Sequence, residues 1–303
     1  MNVFLALGSN LGHRENNLHR AIALIGERVG KVVRVSSFHE TPPADMDSEL
    51  LFLNAAILVE TNLAPLEILA ITQEIERELG RERKSENGVH FDRTLDIDLL
   101  QANGHRIQTP ELVLPHPEMA KRDFVMAPLA EIAPFESADI EPMALFMEIY
   151  SRLKKTLVVE ATTARESEWK GVNRLLEQLL PGQPLSWKEY QALVEDSQAH
   201  LGLLYDLHNE NGHFHPTLCG MITLCTTFSP TGRKAWIEDV VIDEKYRGKG
   251  LSHQLLSWAK GKGKATHQQQ LVLTSRPERI AANQLYQNEG FEQRQTNVYR
   301  FSL

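Results

Sequence analysis

The sequence predicts an α+β domain with a ferredoxin-like layer in its first half and a second, α/β domain in the remainder. Three observations lead to this prediction. The 303 residues are enough for two ordinary domains. Segments of strand and helix length follow one another in β-α-β-β-α-β order up to residue 100, which is the order of a ferredoxin-like layer. A new series of strands and helices begins at Thr156, so we expect domains at 1–155 and 156–303, with the boundary at Lys155.

The N-terminal elements follow from apolar spacing and from breaker residues. Strands are predicted over 2–7, 31–39, 53–60 and 95–100, and helices over 14–27, 65–79 and 143–153. Pro42-Pro43 ends the second strand, because proline lacks a backbone donor and has a fixed φ. Pro65 suits the first turn of a helix, and Gly80 suits its end.

The C-terminal half alternates strands and helices around a Pro181-Gly182 break. Strands are predicted over 157–162, 201–208, 217–227, 235–242, 270–274 and 297–302, and helices over 165–179, 186–199, 251–262 and 279–289. Each half has about 150 residues, which is enough to bury its own core. A chain ending at Lys155 is therefore expected to fold. The boundary lacks a Gly/Ser linker, however, so we also expect the two halves to pack closely.

The composition is that of a globular protein, with 42% apolar and 24% charged residues. The formal charge of −8 argues against binding to nucleic acid or to an anionic membrane surface. No window has the roughly 18 apolar residues needed to span a bilayer, and the N-terminus does not resemble a signal peptide. The two cysteines, Cys219 and Cys225, share one apolar stretch, which favours reduced core residues. We therefore expect a cytoplasmic protein.

Two carboxylates stand at alternate positions in the strand predicted over 95–100. Asp96 and Asp98 project from one face of that strand, because residues i and i+2 point the same way. Such a pair suits Mg²⁺, which binds one or two carboxylates together with phosphate oxygens. An isolated pair of this kind is equally typical of a solvated strand edge, but cationic side chains surround this one, namely Arg81, Arg83, Lys84, Arg93, His116 and Arg122. The combination indicates phosphoryl-group transfer by positioning and charge neutralisation.

Six motifs then identify a family. ALGSNLG, SSFHETPP, FLNAA, GRERK, DRTLDIDLL and LPHPEMAKRDF resemble, in order and spacing, the 6-hydroxymethyl-7,8-dihydropterin pyrophosphokinase family over about residues 1–150. The resemblance implies that Asp96 and Asp98 hold Mg²⁺ bridging the phosphates of ATP. It implies ATP contacts from Arg81, Arg83, Arg93, His116 and Arg122, with Gln73 and Glu76 lining the site. It places the pterin against Thr41, Pro42, Asn54 and Phe124.

Single members of this set have structural alternatives. Phe124 taken alone is equally a core residue, and Asn54 a turn cap. Gln73 and Glu76 alone would form a solvated helix face. The family usually has a tryptophan, a glycine and a proline just ahead of the arginine, whereas this chain has Gly88-Val89-His90-Phe91-Asp92. Asp92 therefore adds a negative charge near the phosphates, which is tolerable if its carboxylate faces away.

A strand over 237–242 runs into the glycine-spaced turn RGKG and then a helix. Glycines allow close backbone approach, and a helix N-terminus binds phosphate. With the later helix closed by Gly290, this resembles the GCN5-related N-acetyltransferase (GNAT) superfamily over about residues 156–303, whose fold has a mixed central sheet. The acyl-CoA motif R-x-x-G-x-G/A falls on Arg247, Gly250 and Ser252, where serine replaces the usual Gly or Ala.

The second resemblance implies acetyl-CoA as co-substrate. It implies backbone pairing of Val240 and Val241 with the pantetheine arm, and pyrophosphate binding by Arg247, Gly248, Lys249, Gly250 and Ser252. Asn283 would help place the cofactor, Tyr286 would protonate the thiolate, and Glu238 or Asp239 would accept the amine proton. Tyr286 alone is equally a half-buried aromatic, and the two carboxylates are equally residues at a bulge.

Two alternatives stay open for the chain as a whole. In one, the C-terminal half is a non-catalytic CoA-binding or scaffold module that regulates the kinase. In the other, the N-terminal half is a degenerate ATP sensor, against which the complete Asp, Arg and His set argues. The partners expected are small molecules, and the acetyl acceptor is an amine that the sequence does not identify. The oligomeric state is not predicted.

Overall fold

The computed structural model describes residues 1–44, 46–81, 91–102, 105–132, 156–210, 213–299 and 301. The expected helix over 143–153, the boundary at Lys155 and the side chains of Arg83 and Lys84 lie outside these residues. Within them, no helix is long and apolar enough to cross a membrane.

The N-terminal domain is built on one antiparallel sheet. Its elements are β1 (Asn2–Ser9), α1 (Arg14–Arg28), β2 (Lys31–Val35), β3 (His39–Thr41), β4 (Phe52–Glu60), α2 (Pro65–Glu78) and β5 (Asp96–Ala102). The strand order is β2-β4-β1-β5, and β3 pairs with β4. The predicted ferredoxin-like order is confirmed, since the first and third long strands pair at the centre.

Both faces of this sheet are buried. On one face Val3, Leu5 and Leu7 of β1 pack with Leu18 of α1 and Ile75 of α2. The period of two along a strand sends the alternate residues to the opposite face. That opposite face is covered by a helix that the sequence analysis did not predict, and beyond it by the C-terminal half.

The unpredicted helix is α3 (Asp123–Ile132), which follows the short strands β6 (Ile107–Gln108) and β7 (Val113–Leu114). Its residues Val125, Met126 and Leu129 are at most 4% exposed. Pro128 lies inside it, and an internal proline normally argues against a helix. The helix is stabilised instead by burial of its apolar face.

The C-terminal domain is a five-stranded mixed sheet with helices. Its elements are β8 (Thr156–Glu160), α4 (Glu166–Leu179), α5 (Trp187–Glu195), β9 (Ala199–Glu210), β10 (His213–Ser229), β11 (Gly232–Ile242), α6 (Leu251–Ala265), β12 (Gln270–Val272) and α7 (Ile280–Asn288). The order is β12-β11-β10-β9-β8. Neighbours are antiparallel except β11 and β12, which are parallel. The predicted mixed sheet is confirmed.

One hydrophobic cluster includes residues of both domains. Met126 and Leu129 of α3 belong to the same cluster as Leu157 and Val159 of β8 and Tyr205 of β9. Polar contacts add to this interface. Phe38 donates its backbone N–H to the carbonyl of Gly261 at 3.1 Å, and His19 Nε2 lies 2.9 Å from the Lys264 carbonyl oxygen. The expected close packing of the two halves is thus present.

Two strand predictions differ from the structure. The strand predicted over 31–39 is split into β2 and β3, because at Ser36 the side-chain Oγ accepts the Ala56 N–H at 3.0 Å. The strand predicted near 297–302 is wrong for the described residues 297–299 and 301, which belong to no strand. Val298 and Tyr299 are 77% and 87% exposed, so their β propensity is not reinforced by packing. Both cysteines are free, as expected.

Candidate active sites

The predicted carboxylates Asp96 and Asp98 lie at the beginning of β5, next to arginine side chains. Arg81 donates to Asp96 and also to Glu76, the latter at 2.5 Å. Arg93 Nη2 lies 2.8 Å from the second oxygen of Asp96. Arg81 follows the glycine that ends α2, and Arg93 precedes β5, so the two ends of one connection bring both guanidinium groups to the same carboxylate.

Asp98 lies in a more strongly perturbed environment. Burial and the neighbouring Asp96 carboxylate raise the pKa of Asp98 to about 7, although Arg122 and Arg93 oppose the rise. A carboxyl group that is costly to ionise in isolation gains most from a nearby cation. The electrostatics thus favour positive charge beside Asp98.

A pocket lies beside the carboxylates on the face of the sheet that α3 covers. Its empty volume is about 460 Å³, and Thr41, Pro42, Asn54, Phe124, Arg93, Asp96 and Asp98 are among its lining residues. Gly8 of β1 pairs with Asn54 on one side and Asp96 on the other. A side chain at Gly8 would meet the Asn54 Oδ1 at 3.0 Å, so glycine keeps the floor of the pocket open.

The remaining predicted N-terminal residues are not among those that line this pocket. The Arg122 guanidinium lies 5.9 Å from the centroid of the Phe124 ring. Burial and the nearby Arg122 lower the pKa of His116. Glu76 is 5% exposed and accepts the Ile97 N–H at 2.7 Å, so it supports Arg81 and β5 rather than forming a solvated face. Gln73 is half-buried one turn earlier on α2.

Sequence reasoning missed three contributors to this region, namely Asn10, Ser48 and Phe52. Asn10 is 4% exposed and accepts the Arg93 N–H at 2.8 Å. Asp92 accepts hydrogen bonds from Asn10 and Ser48, and the Phe52 ring lies 5.2 Å below the Arg93 guanidinium. The signal for Asn10 was present in the ALGSNLG motif. Ser48 stands in a loop without any local signal.

In the C-terminal domain, β11 separates from β12 after Trp236. The two strands pair only over Lys234–Trp236 and Gln270–Val272, while β11 stays paired with β10 as far as Ile242. The backbone of Val240 and Val241 lies beyond that last pair with β12. The register shifts between Met221 and Thr223 of β10, opposite Asp239, whose φ is 51°.

This bulge carries the two predicted carboxylates. Thr223 Oγ1 donates to Asp239 Oδ2 at 3.4 Å, and burial raises the pKa of Asp239. Partial burial and the Asp239 carboxylate also raise the pKa of Glu238. Bulges commonly redirect side chains next to active sites. The position of these two carboxylates at a bulge is therefore compatible with a structural role and with a role as acceptors of the amine proton.

The glycine-spaced turn precedes α6. Gly248 and Gly250 have φ of 75° and 73°, values that glycine adopts without strain. The Arg247 side chain donates to the Ile242 carbonyl at 3.1 Å and to Gln178, which fixes the turn to the end of β11. Helix α6 begins at Leu251, so its first backbone N–H groups, including that of Ser252, point out of the helix end.

Helix α7 carries the last two predicted residues. Tyr286 is half-buried against Phe291, with ring centroids 6.1 Å apart, and burial raises the pKa of its hydroxyl. Asn283 donates to the carbonyl of Arg276 at 2.9 Å, which holds the turn ahead of α7. Tyr286 packs on the same cluster as Val240, so α7 and β11 share one core.

The N-terminal geometry defines a class. Two carboxylates on one strand, two guanidinium groups fixed on one of them and an adjoining pocket with an aromatic wall are typical of a phosphoryl-group transferase. Residues 4–134 match the family described as 7,8-dihydro-6-hydroxymethylpterin-pyrophosphokinase (HPPK). The chain belongs to this family.

Two relatives illustrate the match. The 2-amino-4-hydroxy-6-hydroxymethyldihydropteridine pyrophosphokinase of Porphyromonas gingivalis is 48% identical over 134 residues, which are 44% of this chain and 91% of that protein. The Bacillus subtilis enzyme of the same name is 46% identical over 130 residues, which are 43% of this chain and 76% of the other.

The C-terminal half matches a second family. Residues 171–291 match the acetyltransferase (GNAT) family. A solved acetyltransferase of Trypanosoma brucei is similar with a TM-score of 0.38 and 22% identity over 49% of this chain and 99% of that chain. The assignment of the second domain therefore depends on the family match. The chain joins a pyrophosphokinase domain to a second domain whose residues 171–291 match the acetyltransferase (GNAT) family.

Proposed function

We propose that the N-terminal domain transfers the terminal pyrophosphoryl group of ATP to 6-hydroxymethyl-7,8-dihydropterin in the cytoplasm, as a step of folate synthesis. In this reaction the β-phosphorus gains a bond to the hydroxymethyl oxygen and loses its bond to the oxygen of the α-phosphate, so AMP departs. The observation that carries the proposal is the carboxylate pair at the mouth of a pocket whose far wall is aromatic.

The residues present fit Mg²⁺ and a polyphosphate. Asp96 and Asp98 supply carboxylate oxygens, and because burial and the Asp96 carboxylate raise the pKa of Asp98, a cation bound beside it would favour its charged form. Arg81 Nε and Arg93 Nε are buried and find no acceptor among the described residues, which phosphate oxygens would provide. Bound Mg²⁺ would neutralise phosphate charge and orient the phosphates.

The pterin end of the pocket is suited to a flat polar ring. Asn54 Nδ2 donates to Thr41 Oγ1 at 2.9 Å, so the Asn54 amide is held in one orientation with its oxygen free to accept from the ring. Phe124 offers an aromatic face for stacking. The Arg122 guanidinium lies 5.9 Å from the centroid of the Phe124 ring, and its charge also acts on the Asp98 carboxylate. His116 lies near Arg122 and Asp96.

The test is AMP formation. Purified full-length protein with ATP, Mg²⁺ and the hydroxymethyl-dihydropterin is expected to release AMP in an amount equal to the pterin consumed. Asp98→Asn should reduce the rate roughly a hundredfold or more, because it removes charge needed to hold the metal. Glu111→Gln changes an exposed carboxylate and should leave the rate unchanged. Release of ADP instead of AMP would contradict the proposed reaction.

For the C-terminal domain we propose transfer of an acetyl group from acetyl-CoA to an amine. The separation of β11 from β12 supports pantetheine binding along Val240 and Val241. The left-handed turn at Gly248 and Gly250 ahead of α6 supports pyrophosphate binding. The raised pKa of Tyr286 keeps its hydroxyl protonated at neutral pH, as a general acid for the departing thiolate requires.

Two variants separate binding from chemistry. Gly250→Val puts a branched side chain at a positive φ, so calorimetry should show loss of acetyl-CoA binding. Tyr286→Phe keeps the ring and should preserve binding, while thiol release with a panel of amines falls by roughly a hundredfold. In both variants AMP formation should persist.

The shared hydrophobic cluster favours a second candidate for this domain, a scaffold that stabilises the kinase. Intact protein that does not bind acetyl-CoA would support the scaffold over the enzyme. Binding without thiol release on any amine would instead support a CoA-sensing module.

A further inference from the structure

Three segments far apart in the sequence meet at the carboxylate of Asp92. Its Oδ1 accepts a hydrogen bond from Asn10 Nδ2 at 2.6 Å and another from Ser48 Oγ at 2.7 Å. Ser48 Oγ in turn accepts the Leu50 N–H at 3.1 Å. Asn10 lies between β1 and α1, Ser48 between β3 and β4, and Asp92 just ahead of β5. One oxygen atom therefore joins all three connections.

The segment that contains Ser48 borders the pocket at both ends. Pro42 and Phe52, on either side of Ser48 along the chain, both line the pocket. Arg93, the residue after Asp92, lines it too. The Ser48–Asp92 bond therefore joins two stretches of chain that each border the pocket. The far end of the segment is held separately, because Arg14 donates to the Leu51 carbonyl at 2.7 Å.

We propose that Asp92 is a positioning residue that fastens residues 46–51 beside the pocket and so slows release of the pterin. This inference rests on the proposed function of the N-terminal domain. Asp92 acts through Ser48 and Asn10 rather than on the reacting atoms. It also explains how a carboxylate is tolerated near the phosphates, since its Oδ1 is turned toward two neutral donors.

An alternative role for Asp92 is to position Arg93. Asn10 Oδ1 accepts the N–H of Arg93, which provides a second route from Asp92 to the phosphate end of the site. The two roles predict different kinetic constants. If Asp92 fastens the segment between Pro42 and Phe52, its loss changes the kinetic constants for the pterin. If Asp92 places Arg93, its loss changes those for ATP.

The experiment uses the full chain and the conservative variant as a rescue. Both hydrogen bonds end on the same oxygen, so Asp92→Asn, with its amide carbonyl at that position, preserves both and removes only the charge. Asp92→Ala removes both bonds, and Ser48→Ala removes one. Glu49→Ala, at an exposed carboxylate of the same segment, is the matched control. Steady-state constants are measured for each substrate, together with pterin dissociation by stopped-flow fluorescence.

We expect Asp92→Ala to raise the pterin KM and dissociation rate about fivefold, as for two partly exposed hydrogen bonds. Ser48→Ala should give about half that effect on a logarithmic scale, and Asp92→Asn should stay within about twofold of the parent. The ATP KM and kcat should not change. An Asp92→Ala variant that behaves like Glu49→Ala would overturn the proposal. So would an Asp92→Asn variant as impaired as Asp92→Ala, or a change confined to the ATP KM. Absence of AMP formation by the parent protein would instead count against the proposed function.

Discussion

A buried ionic network at the domain interface allows a quantitative test of how the two halves are joined. Glu160, the last residue of β8, lies 2.6 Å from Lys262 Nζ and 2.7 Å from His200 Nδ1. Lys262 also donates to the Val35 carbonyl of the N-terminal domain at 3.1 Å. The perturbation is Glu160→Gln, which keeps the shape of the side chain and removes its charge.

The magnitude follows from the pKa of Glu160. Burial alone would raise this pKa, but Lys262 and His200 outweigh burial and lower it from 4.5 to about 2. At about 1.4 kcal/mol for each pKa unit, the native environment stabilises the charged form by roughly 3 kcal/mol. The variant also leaves Lys262, whose side chain is 7% exposed, without its counter-charge. We expect Glu160→Gln to lower the free energy of unfolding by about 3 kcal/mol at pH 7.

The direction of the pKa shift determines how the stability difference between the parent protein and Glu160→Gln changes with pH. A carboxyl group whose pKa is depressed in the folded state contributes stability above its unfolded pKa and loses it as pH falls toward the folded pKa. For Glu160 that interval runs from 4.5 down to about 2. The difference between parent and variant should therefore be constant from pH 7 to about pH 5.5. It should shrink by about 1.4 kcal/mol at pH 3.5.

Urea unfolding is a suitable assay, because all four tryptophans, Trp169, Trp187, Trp236 and Trp258, lie in the C-terminal half. Their fluorescence reports that half, while residual AMP formation reports the other. Glu166→Gln is the matched control, since it removes an exposed glutamate paired with Lys170. A Glu160→Gln midpoint equal to that of Glu166→Gln, or a difference that does not vary with pH, would refute the reasoning.

Two further predictions concern the same interface. Gly261→Ala should lower the free energy of unfolding by about 1–3 kcal/mol, because a Cβ there would lie 2.6 Å from the Phe38 carbonyl oxygen. Gly26→Ala, whose Cβ would meet its neighbour at an ordinary 3.7 Å, is the control that should be neutral or stabilising. A chain ending at Lys155 should be poorly soluble or inactive, since it loses the partners of α3 in the shared cluster. If it folds and forms AMP at the parental rate, the two domains are independent, as domain size alone suggests.

The elements that the sequence predicted well are those with a local signal. Helix α2 begins at Pro65 and ends next to Gly80, and β5 places Asp96 and Asp98 on one face, as the period of two requires. Helix α3 was missed because its internal Pro128 contradicts a helical pattern, and burial against a distant sheet outweighs that signal. The helix propensity of a segment does not report how that segment packs against residues distant in the sequence.

The same limit applies to the site. The residues that are expected to bind Mg²⁺ and phosphate stand in motifs, so they were recognisable from the order of these motifs along the chain. The bonds of Asp92 to Asn10 and Ser48 span 82 and 44 residues, and nothing in the local sequence pairs them. Asp92 was noticed only as an unfavourable charge, and the hydrogen bonds that make it tolerable are visible only in the fold.

The position of α3 gives the fusion of the two domains a physical consequence. Its first turn supplies Phe124 to the pocket that we propose binds the pterin, and its later residues Met126 and Leu129 pack in the cluster shared with β8 and β9. Near its end, Glu131 accepts hydrogen bonds from the N–H and Oγ of Ser37, both at 2.7 Å, in the connection that leads to β3. One wall of this pocket is thus supported from behind by the C-terminal domain. Any change that loosens this packing should reach the pyrophosphokinase through α3, because a close-packed helix transmits strain along its length.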